Sequence, residues 1–73
     1  ALVQGYIKEL GDTISMHDFR IVAGPTHTNL IFDVAVPYDF PLSDRELKEK
    51  LTARIRKDNP NYFAVIDVDK QMV

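Results

Sequence analysis

The chemistry open to this chain rests on one imidazole and three carboxylates: His17, Asp33, Asp67 and Asp69. Asp67 and Asp69 are two apart in the alternating run YFAVIDVDK. On a strand that spacing points both carboxylates the same way, about 7 Å apart. Like charges this close repel unless a cation or a proton comes between them. His17 lies in the apolar run ISMHDFRIVA and Asp33 in NLIFDVAVP, on strands expected to flank the Asp67 strand. A charged or polar group inside such a run is costly unless something answers it. Together the four make a site for a divalent ion. Its oxygen-rich donor set favours zinc less strongly than a histidine-rich one would, and leaves room for manganese or iron. The imidazole must be neutral to bind, so affinity weakens below about pH 6.

Other readings of the same residues stay open. Asp67-Val68-Asp69 also fits a solvated strand end, and His17 a hydrogen-bonded structural histidine. Simple alternation puts His17 on the face of Phe19 and Ile21, so turning the imidazole outward requires a bulge at His17-Asp18. His27 sits in a turn, where an exposed histidine usually binds nothing. Asp18 and Arg20 are spaced to form a local ion pair of little energetic weight.

The positions of these groups depend on five elements. Val3, Ile7 and Leu10, with Tyr6 beside them, recur at helical spacing over residues 1–11, and Gly11 suits the end of that helix. Two strands follow, about residues 14–23 and 28–36. Between them Gly24-Pro25-Thr26-His27-Thr28-Asn29 is a turn, Gly supplying unusual backbone angles and Pro fixing one. In the second strand Leu30, Phe32, Val34 and Val36 share one face; Ile31, Asp33 and Ala35 share the other. Pro37 ends the run because it lacks a ladder donor. Ser43 and Glu46 form a capping box, with Leu42 and Leu47 as a hydrophobic staple, opening a helix over 44–57. Leu47, Leu51 and Ile55 form its buried stripe, with Ala53 on the flank. Asn59-Pro60-Asn61 stops it, and a last strand runs over 62–70. The third strand returns after a helical connection and so can lie parallel to the second. Two helices then cover one face of a mixed three-stranded sheet, and the other face is left as a subunit contact.

The chain has 73 residues, enough for one small domain whose stability is thin and usually helped by a metal, a disulfide or a partner. There is no cysteine, so disulfides and thiolate zinc sites are excluded. Nine basic and eleven acidic residues give a net charge of −2, which argues against nucleic acid. No nucleophile elbow or phosphate-binding glycine loop is present, so the chain is not expected to be an enzyme. No apolar run approaches the roughly 20 residues that cross a bilayer. The first residue is Ala and no signal-peptide pattern follows. The chain is therefore expected to be a piece of something longer, with Met removal as the alternative.

Met-His-Asp-Phe-Arg at 16–20, Gly-Pro-Thr at 24–26, Asn-Leu-Ile-Phe-Asp-Val at 29–34 and Val-Ile-Asp-Val-Asp at 65–69 together resemble the C-terminal cytoplasmic domain of the cation diffusion facilitator transporters. The resemblance spans nearly the whole chain. It implies an α+β, ferredoxin-like or metallochaperone-like αββαβ fold and a homodimer on the cytoplasmic side of a membrane. It also implies a role in regulating a divalent-cation/proton antiporter. Carried over by position, its metal ligands fall on His17, Asp33, Asp67 and Asp69, with a further ligand from the partner subunit near Glu46. Asp33 and Asp67 stand where zinc-transporting members have histidine, so the ion is Zn2+ or Mn2+/Fe2+. Two rival expectations are a small-molecule regulatory domain using the loop at Gly24 to Asn29, and a dimerisation module without metal.

Overall fold

A computed structural model of the chain describes residues 2–71. It contains α1 (Leu2–Leu10), β1 (Ser15–Ala23), β2 (Thr28–Pro37), α2 (Asp44–Asp58) and β3 (Tyr62–Gln71). The strands form one mixed sheet in the order β1-β2-β3, antiparallel between β1 and β2 and parallel between β2 and β3. Both helices lie on one face, giving the expected αββαβ arrangement of ferredoxin-like folds. No helix among the described residues is long and apolar enough to cross a membrane.

The core is where the apolar periods of sheet and helices meet. Leu30, Phe32, Val34 and Val36 point every second residue from β2 into it, each no more than 4% exposed. They meet Leu47, Leu51 and Ile55 of α2 and Val3, Tyr6 and Ile7 of α1. Ala53 is exposed rather than packed on the flank of the stripe. It lines the open groove between α1 and α2 instead.

Local chemistry sets the element ends. Ser43 Oγ accepts from Glu46 N at 3.1 Å while Glu46 Oε1 accepts from Ser43 N at 3.2 Å, so the capping box closes both ways. At the other end of α2, Asn59 N–H donates to Ile55 O, and Asn59 Oδ1 accepts from Asn61 N at 3.0 Å, which turns the chain into β3. The β1–β2 turn uses its glycine differently from expectation. Gly24 N donates to His27 O at 2.9 Å, and a Cβ on Gly24 would sit 2.9 Å from that oxygen. Close approach, not a positive φ, excludes a side chain there. Pro37 is the last residue of β2, as expected, and just beyond it Tyr38 N donates to Gln71 O at 2.8 Å.

One irregularity decides which side chains reach which face. The β1–β2 register passes from His17↔Asp33 to Arg20↔Ile31, so Asp18 and Phe19 together oppose Phe32. Asp18 adopts φ 55°, in the left-handed region that few residues other than Gly, Asn and Asp tolerate. This bulge restarts the alternation. Phe19 then turns inward, with its ring centroid 5.9 Å from that of Phe32, and His17 turns out to the uncovered face.

Candidate functional site

The uncovered face of the sheet is arranged in rows across the strands. His17, Asp33 and Asp67 are register partners in one row, Asp33 pairing with His17 on one side and Asp67 on the other. The next row holds Ser15, Ala35 and Asp69. Below them come Arg20, Ile31 and Val65, then Val22, Asn29 and Phe63. His17, Asp33, Asp67 and Asp69 line a single hollow of about 360 Å³, together with Ala35 and Gln71. All four donors expected from the sequence thus border one open, polar depression.

They do not close into a coordination shell as they stand. No group of three or more His, Asp or Glu side chains among the described residues is placed to hold one ion. The strand order explains the spread. β1 pairs with β2 alone, so His17 and Asp67 stand two strands apart, about 10 Å between backbones at the usual strand spacing. Asp33 lies between them, half-buried, while His17, Asp67 and Asp69 are exposed and free to change rotamer. The donor set itself, one nitrogen and three carboxylates, suits a borderline-to-hard divalent cation.

Two further residues bear on the hollow, Ser15 from beside it and Gln71 from its lining. Ser15 Oγ lies 3.0 Å from His17 Nε2. A hydroxyl accepting from Nε2–H orients the ring and leaves Nδ1 as the free lone pair. Ser15 precedes His17 by two on a strand, so shared facing was the available signal. Gln71 brings an amide to the far end of the hollow. Its place depends on β3 continuing past Lys70, which the alternation of the run did not require.

The remaining candidates lie elsewhere. Glu46 is held at the start of α2 by its capping bonds, does not line the hollow, and its carboxyl is lowered from the ordinary 4.5, mainly by the Ser43 backbone N–H. His27 sits at the opposite end of the sheet against Phe63, whose row is about 13 Å along the strands from the Asp33 row. Its Nδ1 is 3.1 Å from Thr26 Oγ1 and its ring centroid 4.5 Å from that of Phe63. The Arg56 guanidinium also lies 4.5 Å from the Phe63 ring centre. Asp18 and Arg20 form no ion pair, because the bulge between them breaks the strand geometry that would align them.

Comparison with protein-family models, with curated proteins and with solved structures finds no match to this chain.

Proposed function

We propose that this chain is the cytosolic homodimerisation and regulatory metal-binding domain of a divalent-cation/proton antiporter of the cation diffusion facilitator type. The membrane-spanning part would lie in the rest of such a protein, and the domain itself would perform no catalysis. The observation that supports this reading is the one hollow on the uncovered sheet face lined by His17, Asp33, Asp67 and Asp69. Those are the positions at which the motifs of the resemblance carry ligands.

The regulation is electrostatic. Asp33 and Asp67 are direct partners in a parallel ladder, and Asp69 is the next outward-facing residue along β3. Like charges set opposite each other on a sheet destabilise it. A bound divalent cation supplies the opposite charge. His17 and the three carboxylates then favour whichever arrangement of the two subunits gathers them, since a ligand shifts a population only by its differential affinity. Exposed Val22, Phe63 and Val65 lie on the same face and give the second subunit apolar surface to cover.

Isothermal calorimetry with Zn2+ and Mn2+ tests the metal reading. Binding tighter than about 1 mM is expected, and it is lost in the His17→Ala/Asp67→Ala double variant. Binding that survives in that variant would place the ion elsewhere. A second reading, a dimerisation module without metal, is favoured by the spread of the four side chains. Sedimentation with and without chelator separates the two, since only a metal-dependent dimer dissociates on chelation.

A further inference from the structure

The helical layer, on the opposite side of the sheet from the carboxylates, carries a groove of about 340 Å³ between α1 and α2. Its floor is apolar, formed by Tyr6, Leu10, Leu51 and Ala53. Its rim is cationic: Lys50, Arg54 and Lys57 stand on one side of α2 against a single carboxylate, Glu9. The chain as a whole is net negative, so the groove is a local reversal of its sign. Arg54 is already committed. Its Nε is 3.4 Å from Glu9, its Nη1 is 3.4 Å from Asp58, and its guanidinium carbon lies 4.5 Å from the Tyr6 ring centre. Lys57 makes no salt bridge among the described residues, and Lys50 makes none either, acting only at longer range on Glu46 one turn back. Tyr6 is 5% exposed, and its buried hydroxyl has no hydrogen-bond partner among the described residues. A buried donor left in that state carries a desolvation cost that an acceptor would relieve.

These features ask for one kind of ligand. An inorganic anion would match the lysines and leave the apolar floor bare. A neutral apolar molecule would cover the floor and leave two ammonium groups unmatched. We infer that the groove binds a single-chain anionic amphiphile, a medium-chain carboxylate with its head between Lys50 and Lys57. Its tail lies on Leu10, Leu51 and Ala53. The volume falls within the range of small-molecule sites, and charge complementarity selects the head group.

The test is titration of the 15N-labelled chain with decanoate, followed by amide shifts, with decanol as the uncharged control. Decanoate saturates with a Kd of about 0.1 mM, and decanol binds at least about tenfold more weakly. Shifts concentrate on α1 and α2. Lys50→Ala/Lys57→Ala weakens decanoate about tenfold, Lys50→Arg/Lys57→Arg retains it, and Ala53→Trp fills the groove and removes it. All three positions are exposed, so the variants fold. The inference is overturned if decanoate does not saturate by about 2 mM, if the double alanine variant binds equally well, or if the shifts centre on Val22, Phe63 and Val65. The measurement uses no metal and reads the helical face, so its failure leaves the proposed role of the carboxylates untouched.

Discussion

Asp18 is the residue on which the candidate site turns, although it does not itself line the hollow. Its left-handed φ of 55° inserts the extra residue that sends His17 outward and Phe19 inward. Left-handed backbone costs an ordinary L-residue roughly 1–2 kcal/mol, and a short polar side chain lowers that cost. Asp18→Val is therefore expected to lower stability by about 1–2 kcal/mol in urea unfolding, while Asp18→Gly stays within about 0.5 kcal/mol of wild type. Deleting Asp18 is the sharper experiment. With one residue gone, Phe19 alone opposes Phe32, and His17 beside it keeps its outward facing and its pairing with Asp33. Diethyl pyrocarbonate should therefore modify His17 equally in the wild-type chain and in the deletion variant, with His27 as the internal reference; a His17 spared in the deletion variant would show that Phe19 does not take the place opposite Phe32. That Asp67 and Asp69 would border the same hollow was legible, because spacing alone puts them on one side. The facing of His17 was not, since a bulge depends on which neighbour the strand must match, and Phe19 has to reach Phe32.

The elements differ in how locally they are specified. Helix α2 was readable from its own residues: a two-way cap, a stripe at Leu47, Leu51 and Ile55, and a polar stop at Asn59 all agree. Sheet order is a long-range property, and nothing within β3 says that β2 rather than β1 will be its neighbour. Only the parallel crossover through α2 supplies that, and it puts Asp33 in the centre of the row. Ala53 shows the limit of periodic reading, since alanine is compatible with either side of a helix and only packing decides. The cap yields a prediction with a sign. Glu46 has its folded pKa lowered below its ordinary 4.5 by the Ser43 backbone N–H. A carboxyl depressed in the folded state adds stability that is whole above the unfolded value and lost as pH falls through the folded one. Glu46→Gln keeps an acceptor for Ser43 N but removes the titration. The stability difference between wild type and Glu46→Gln should thus be constant near neutral pH and shrink below 4.5, measured by urea midpoints. Ser43→Ala should cost about 1 kcal/mol near neutral pH and less below 4.5, because the Ser43 side chain is part of what holds the Glu46 carboxyl down.

At the scale of the whole molecule, the question is what covers the second face of the sheet. One layer of helices buries β2 from one side, leaving Phe63 at 41%, Val65 at 52% and Val22 at 49% exposure on the other. A chain of this size hides only about 60% of its unfolded surface, so added apolar burial matters to its stability. Charge on this face is divided: Arg20 stands on the β1 side, Asp67 and Asp69 on the β3 side. A two-fold axis through the apolar rows brings the cationic edge of one copy to the acidic edge of the other, the self-complementarity an isologous contact needs. Val65 lies mid-face and is exposed in the single chain, so Val65→Lys should leave the isolated fold within about 0.5 kcal/mol of wild type. In a dimer the same lysine is buried against a second apolar face and is strongly unfavourable. Wild-type Tm should then rise with protein concentration, as any association that favours the folded state requires, and sedimentation velocity should show a heavier species. Val65→Lys should keep the dilute-limit Tm, lose its dependence on concentration and sediment as a monomer. If both proteins sediment alike as dimers, the uncovered face is not the contact, and the carboxylates on it cannot be drawn together by pairing across it.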